Sequence, residues 1–439
     1  MMKETIKKFI PEFILLFYHY CLAQMAGLFY QWPSKKLIVI GITGTSGKST
    51  QVFLLAKILN EAGFKIGYTS TQSIKIGEQE FVNQAKMTML GRFALQRYLK
   101  KMVIARCQYA IIEVTSEGIR QYRHQGINFD GAVFTNLSPE HIEVHGLYEN
   151  YRETKLKLFE KLSKDRIKVI NGQKIEKICV VNLDDKEAGY FSQYKAAKNY
   201  GCTIKNSSPV FEGQKVIKAE NIRTDFSGTR FKVLGLEIES RLMGEFNAAN
   251  ILSAITTSLA LGIDLSVCQK ALAKIQGMPG RMEVVVDEPF KVIVDFAFLP
   301  QAFEKIYQVL EKIPHKNIIH VFGGTGGGRD KWRRPLLGKF AAIHADYIFI
   351  TNEDPYDEDP NQIINDVAQG VYETKQKTEG KNFWKILDRK EAIEKALTLA
   401  KPEDIVLITG KGAEPVMAIA GGKKIPWDDR KIIMDFLNK

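Results

Sequence analysis

Four apolar residues, Leu37-Ile38-Val39-Ile40, run into Gly41-Ile42-Thr43-Gly44-Thr45-Ser46-Gly47-Lys48-Ser49-Thr50, and a helical pattern follows from Lys48 to Glu61. A buried strand, a glycine-rich turn and a helix in that order leave few folds open. The glycines let the backbone wrap an anion, and N–H groups at the helix start point at it. Lys48 then neutralises charge on a terminal phosphate, and the Ser49 hydroxyl stands where a Mg²⁺ ligand is needed. The strict phosphate-loop pattern has Gly at position 42, where this chain has Ile; the tighter Gly-Thr-x-Gly-Lys-Ser form is present instead. An ordinary glycine turn is the competing reading, and the agreement of strand, turn, Lys-Ser pair and helix disfavours it.

Further apolar runs at Tyr109–Val114, Gly131–Phe134 and Ile178–Val181 alternate with helical patterns, which predicts a parallel sheet. Residues 210–243 alternate in polarity and predict several short strands. Gly277-Met278-Pro279-Gly280 is a breaker cluster and marks a domain boundary. Beyond it, strands are predicted at Lys291–Asp295, Ile318–Phe322, Tyr347–Ile350 and Asp404–Ile408, with helices between. The expected organisation is α/β: an N-terminal segment 1–36, a phosphate-loop domain 37–280, and a C-terminal Rossmann-like domain 281–439. A chain of 439 residues accommodates that many cores.

The balance of 62 basic and 50 acidic residues gives a net charge of +12, spread along the chain. That favours anionic small substrates or an anionic membrane surface over a dedicated nucleic-acid face. The five cysteines form no CxxC pair, which argues against a zinc ribbon and fits a reducing, cytoplasmic compartment. Phe13 to Tyr30 is uncharged and mostly apolar, between Lys3, Lys7 and Lys8 on one side and Lys35 and Lys36 on the other. It reads as a helix docked on the next domain or on a second copy of the chain, or as one that touches a membrane; residues 9–30 are the contact expected in either case.

Gly44-Thr45-Ser46-Gly47-Lys48-Ser49 resembles the ATP loop of the Mur ligases, ATP-dependent amide-bond synthetases of cell-wall precursor assembly. Further likenesses follow in order. Glu113-Val114-Thr115-Ser116 resembles E-[VL]-S-S, and Phe134-Thr135-Asn136-Leu137-Ser138-Pro139-Glu140-His141 with His145-Gly146 resembles F-T-N-L-S-x-D-H…H-G. Asn182-Leu183-Asp184-Asp185, Gly244-Glu245-Phe246-Asn247 with Asn250, and Pro279-Gly280-Arg281-Met282-Glu283 resemble N-x-D-D, G-x-F-N-x-x-N and P-G-R-M-E. Val321-Phe322-Gly323-Gly324 through Arg329-Asp330-Lys331 to Arg334-Pro335, and Gly410-Lys411-Gly412-Ala413-Glu414, resemble V-F-G…R-D-K…R-P and G-K-G-H-E. The likeness spans about residues 37–439, and the pattern is most like the MurE type.

The resemblance implies ATP and Mg²⁺, a muramyl-peptide-like acceptor and an amino acid as reactants. It implies catalytic roles for Lys48, Glu113, His141 and Lys155. Nucleotide contacts are implied for Gly44 to Thr50, Asn247, Asn250, Arg281 and Asp295. Metal ligation is implied for Ser49, Glu113, His141 and a carbamylated Lys155, which lies fourteen residues after His141 as in the family. Substrate contacts are implied for Thr88, Ser116, Arg123, Arg329, Glu353, Asp354, Tyr356, Gly410 and Glu414. Taken one by one, Glu113 also reads as a cap, His141 as a satisfied loop histidine, Lys155 as a solvated helix lysine, and Asp295 as a strand-end cap.

Departures from the pattern fall mostly on substrate-reading positions. About 36 residues of this sequence precede the ATP domain, so the family's uridine-nucleotide domain is expected to be lacking. The D-Y-A-H-x-P histidine is Phe298, the S-S-H histidine is Glu117, T-T-P reads Thr88-Met89-Leu90, and D-N-P-R reads Glu353-Asp354-Pro355-Tyr356. Tyr356 thus replaces an arginine suited to a distal carboxylate, within the acidic run Glu353, Asp354, Asp357, Glu358 and Asp359. From this a basic or neutral amino acid is expected, lysine or ornithine first; the alternative is a solvated acidic turn. Competing functions are a relative acting on folate, a storage peptide or a lipid-linked precursor, a nucleotide-binding scaffold without catalysis, and a plain phosphate-loop ATPase or kinase.

Overall fold

The computed structural model describes residues 11–85, 87–139 and 147–438. They form two compact units. The first comprises residues up to Ile222 with 230–239 and 247–274, and the second comprises 223–229, 240–246 and 275–439.

The chain opens with helix α1 (Glu12–Phe29), started by Pro11 and followed by a 3₁₀ turn at Pro33–Lys36. Ala23, Ala26 and Gly27 face inward; a Cβ at Gly27 would lie 2.5 Å from the Trp32 ring, so the turn closes over a glycine. The phosphate-loop region follows as β1 (Ile38–Thr43) and α2 (Lys48–Glu61), with the helix bounds predicted above. Next come β2 (Ile66–Thr69), β3 (Ser73–Ile76), β4 (Gln79–Val82), α3 (Arg92–Ile104), β5 (Tyr109–Glu113), α4 (Ser116–Arg120) and β6 (Gly131–Phe134). After α5 (Tyr148–Lys164) lie a hairpin of β7 (Lys168–Ile170) and β8 (Gln173–Ile175), then β9 (Ile178–Asn182), α6 (Ala188–Ser192), β10 (Lys198–Thr203) and β11 (Lys215–Lys218). Strands β12 (Glu220–Asp225), β13 (Gly228–Val233) and β14 (Leu236–Ser240) make a separate three-stranded sheet, followed by α7 (Glu245–Ala260) and α8 (Leu265–Ala273). Helix α1 packs on α3 through its alanine face, so the docked-helix reading holds. No helix among the described residues is long and apolar enough to cross a membrane.

The first unit's nine-stranded sheet has the order β11-β10-β9-β6-β1-β5-β2-β3-β4. The pairs from β11 to β2 are parallel, and β3 and β4 add an antiparallel edge. Register sets Ile42 beside Glu113 and Thr43 beside Phe134. The end of β1, the carboxylate of β5 and the start of the Thr135-Asn136 loop therefore emerge side by side at the carboxyl edge of the sheet, where ligands of such sheets bind.

The second unit carries β15 (Glu283–Val286), β16 (Lys291–Asp295), α9 (Pro300–Leu310), β17 (Ile318–Gly324), α10 (Arg333–His344), β18 (Tyr347–Asn352), α11 (Pro360–Thr374), β19 (Phe383–Ile386), α12 (Arg389–Leu399) and β20 (Ile405–Thr409). A β21–β22 hairpin (Val416–Ile419, Lys423–Pro426) and α13 (Asp429–Leu437) complete it. The sheet order is β15-β16-β20-β17-β18-β19, parallel except for β15. Buried apolar layers lie on both of its faces, including Phe303, Phe322 and Val367 in one and Val292, Ile393 and Ile433 in the other. The α/β class stands, and the predicted strands are present. The antiparallel edges β3, β4 and β15 were not predicted, because they are short, exposed or half-buried, and carry no apolar run of strand length.

Candidate active site

The loop between β1 and α2 is held open by side chains from the next strand end. Asn136 accepts from the Ser46 N–H (2.9 Å) and donates to the Ser46 carbonyl (3.1 Å), while its own carbonyl accepts from the Thr45 N–H (2.8 Å). Thr135 donates its hydroxyl to the Ser46 carbonyl (2.7 Å). Gly44 has φ +150°, and a Cβ there would lie 2.0 Å from the Thr135 hydroxyl. Gly47 has φ +81°, and a Cβ would meet the Asn250 amide oxygen at 2.4 Å. Only glycine combines these angles with so close an approach. Asn250 in turn donates to Asn247 (3.2 Å), both buried on one face of α7, so the i, i+3 pair lies directly behind the loop. Lys48 folds back to donate to the Gly44 (3.0 Å) and Thr45 (2.7 Å) carbonyls. That is a cation poised on the concave side of an anion cradle.

Glu113, buried at the end of β5, accepts from the Ser49 hydroxyl (2.9 Å), from the Thr71 N–H (2.9 Å) and from the Thr71 hydroxyl (3.2 Å). Thr71 also meets the Thr88 hydroxyl (2.9 Å), so Thr88 is linked to the carboxylate through Thr71. The donor set of a serine hydroxyl and a carboxylate fits Mg²⁺, a hard cation that completes its shell with phosphate oxygens and water. No group of three or more His, Cys, Asp and Glu that could cage a metal occurs among the described residues. Ser116 is buried at the start of α4, next to Thr115, whose hydroxyl caps that helix. Arg123 donates to the Met89 carbonyl and to the Gln121 side chain (2.7 Å from Nη2), tying down the segment that carries Thr88.

Lys155 projects from α5, fully enclosed. Its Nζ donates to the Gly44 carbonyl (2.8 Å) and lies 4.5 Å from the Tyr151 ring centre. Tyr151 shares a hydrogen bond with Thr45 (3.2 Å). A solvated helix lysine is thereby ruled out: the amine touches the loop itself. His141 lies outside the described residues.

In the second unit, Asp295 ends β16 and accepts from the backbone N–H groups of Met282 (2.7 Å) and Ala297 (2.6 Å). Burial raises its carboxyl pKa, which the nearby Arg281 charge opposes. The Arg281 guanidinium stacks 4.5 Å from the Phe296 ring centre. Phe298, where the family pattern has histidine, stacks on the buried Arg333 guanidinium at 5.2 Å.

The acidic run behaves differently from the sequence expectation. Asp354 and Glu414 both engage the buried Lys411 ammonium, at 3.0 and 2.7 Å. Asp357 accepts from the Gly421 N–H (2.7 Å), Glu358 pairs with Arg334 (2.8 Å), and Asp359 caps α11. Glu353 is buried, accepts from Thr325, and has its pKa raised by burial. Glu353, Asp354 and Glu358 are structural partners and not an open ammonium trap, while Asp357 and Asp359 are exposed around a turn, as the solvated-turn reading expects. Gly410 has φ +104°, and a Cβ there would lie 2.1 Å from a Glu353 oxygen. Tyr356 lies over Gly327, where a Cβ would meet its ring at 2.5 Å; burial raises its phenol pKa, and the Arg329 charge opposes that shift. Replacing Lys411 by Met strands the buried Asp354 carboxylate and the partly buried Glu414, so Lys411→Met is expected to destabilise this unit by about 3–5 kcal/mol. Urea unfolding followed by Trp384 and Trp427 fluorescence measures it, and a midpoint equal to wild type would refute the pairing.

A family profile described as the Mur ligase middle domain matches residues 42–258, and one described as the Mur ligase, glutamate ligase domain matches residues 280–412. The chain belongs to the Mur ligase family. Among its relatives is the UDP-N-acetylmuramyl-tripeptide synthetase of Roseiflexus sp. (strain RS-1), 37% identical over 415 residues, covering 93% of this chain and 80% of the relative. The UDP-N-acetylmuramoyl-L-alanyl-D-glutamate–2,6-diaminopimelate ligase of Halalkalibacterium halodurans is 34% identical over 414 residues, with 93% and 80% covered. A solved UDP-N-acetylmuramoyl-L-alanyl-D-glutamate–2,6-diaminopimelate ligase superposes with a TM-score of 0.58 at 28% identity, over 92% of this chain and 78% of that one. Homologues in the Mur ligase family are ATP-dependent amino-acid ligases that build peptidoglycan precursors. Within this Mur ligase the sequence reading overlooked the supporting roles of Thr71, Thr135, Asn136 and Tyr151. Thr71 lies two residues past the end of β2 in a hydroxyl-rich Thr-Ser-Thr run, and like the other three it acts through a contact distant in the sequence.

Proposed function

We propose that this Mur ligase joins an amino acid to the carboxylate of a muramyl-peptide acceptor, with ATP and Mg²⁺. The reading rests chiefly on Lys48, Ser49, Glu113 and Lys155 gathering around one glycine loop at the carboxyl edge of the sheet. In the first step an acceptor carboxylate oxygen bonds to the terminal phosphorus of ATP and the bond to ADP breaks, giving an acyl phosphate. In the second the neutral amine attacks the acyl carbon, phosphate leaves, and the nitrogen gives up one proton, keeping one N–H in the amide. Lys48 holds the charge of the transferred group, and the loop N–H groups fix its direction. Ser49 and Glu113 are the residues that would hold Mg²⁺, which would further neutralise phosphate charge. Asn247 and Asn250 support the loop, and nucleotide contacts by Arg281 and Asp295 are proposed on the family resemblance alone.

For the amino acid, Tyr356 is the informative position. A phenol replaces the guanidinium that suits a distal carboxylate. Asp354, Glu414 and Glu358 are engaged by Lys411 and Arg334, which weakens the attraction for an ammonium. The proposed substrate is an amino acid with one carboxylate, lysine among them, whose α-carboxylate Arg329 would hold. The test is a phosphate-release screen of amino acids against several muramyl-peptide acceptors, with and without the uridine nucleotide. Lysine is expected to exceed meso-diaminopimelate in kcat/KM; a clear preference for diaminopimelate would contradict the reading of Tyr356. Phosphate release that no amine stimulates would favour a plain ATPase, and ATP binding without turnover a lapsed scaffold.

A further inference from the structure

Helix α1 buries one half of its circumference and leaves the other open. At about 100° per residue, its exposed apolar positions fall on one continuous face. Phe13, Phe17, Leu28 and Phe29 are 71, 68, 69 and 72% exposed, and Tyr20 is 41% exposed. Phe93, 40% exposed on α3, extends the face through a ring contact with Phe29 at 6.3 Å. An apolar face this large on one helix marks a contact surface.

Beyond Glu12 in the first turn of α1, the charge of the flanking sequence is of one sign. The sequence has no Asp or Glu from Phe13 to Asn60, nor from Phe81 to Ile112. Those stretches place Lys35 and Lys36 on the turn after α1, and Arg92, Arg97, Lys100 and Lys101 on α3. Lys35, Lys36, Arg97 and Lys101 are exposed. The occupant must therefore be apolar at the centre and anionic at the rim. A second copy docked by the same face would set the two cationic rims against each other.

We infer that this face docks on the surface of an anionic lipid bilayer. Phenylalanine and leucine side chains enter the boundary of the acyl region, and the α3 cations meet the headgroup charge. The helix lies on the bilayer; it does not cross it. The observation is independent of the loop chemistry, so failure of either leaves the other standing.

The full-length protein is sedimented with vesicles of phosphatidylcholine alone and of phosphatidylcholine with phosphatidylglycerol. Binding is expected only with phosphatidylglycerol, weakening as salt rises. Phe13→Ser/Phe17→Ser and Arg97→Glu/Lys101→Glu are each expected to lower vesicle affinity by at least about tenfold at an unchanged thermal midpoint. Should the aromatic variant fold poorly, the charge variant decides alone, because both its residues are exposed. No binding to either vesicle would overturn the proposal, as would binding that neither variant weakens. A dimer that the aromatic variant dissolves, in a protein that ignores both vesicles, would overturn it in favour of a second copy.

Discussion

Lys48→Ala is expected to lower amine-dependent phosphate release by about 10³-fold or more, with the protein still folded. The reason is the geometry of the loop. Lys48 is the cation of the cradle, held 3.0 and 2.7 Å from the Gly44 and Thr45 carbonyls and therefore at the concave side. A group that neutralises charge developing on a transferred phosphoryl contributes most in the transition state, where removing one such contact typically costs 10²–10³-fold or more. The variant loses a partly exposed side chain, so its thermal midpoint should stay near wild type. Near-normal turnover in Lys48→Ala would sink the phosphate-loop assignment.

Lys155→Ala is expected to be nearly inactive, and rescue chemistry distinguishes two reasons. We propose that Lys155 carries a carbamate, whose carboxylate would join Ser49 and Glu113 in holding metal ions. The alternative is a plain ammonium that fastens the Gly44 carbonyl from below, at the 2.8 Å separation seen here. Added bicarbonate or short carboxylates should partly restore Lys155→Ala if the carbamate is the working group. Restoration by small amines, and none by carboxylates, would instead establish the ammonium. Both roles need the buried position between Tyr151 and the loop, which explains why a lysine lies in the interior at all.

The parts of the fold that were legible in the chain are those written in local pattern. The β1–loop–α2 unit shows itself through four apolar residues, spaced glycines and an amphipathic run, all within 25 residues of sequence from Leu37 to Glu61. Glu113 was legible through the likeness of Glu113-Val114-Thr115-Ser116 to the family pattern; taken alone it also reads as a cap. The supports were not. Thr71 meets Glu113 across 42 residues, Asn136 meets Ser46 across 90, and Tyr151 meets Thr45 across 106. Only the parallel strand order brings those pairs together. The acidic run failed for the same reason: its neutralising partner for Asp354 is Lys411, 57 residues away, so a local count of charge overstated what the site presents. The N-terminal segment was ambiguous because its composition is apolar all round; the small residues Ala23, Ala26 and Gly27 decide which side is buried.

The central claim is that a carboxylate of the acceptor is phosphorylated before the amine attacks. Isotope transfer tests it most directly. A muramyl-peptide acceptor labelled with ¹⁸O in its terminal carboxylate is turned over with ATP, Mg²⁺ and the best amino acid, and the released phosphate is analysed by mass spectrometry. The account predicts one ¹⁸O atom in each phosphate released and one remaining in the amide carbonyl. Phosphate free of label, with the oxygen coming from water, would contradict it.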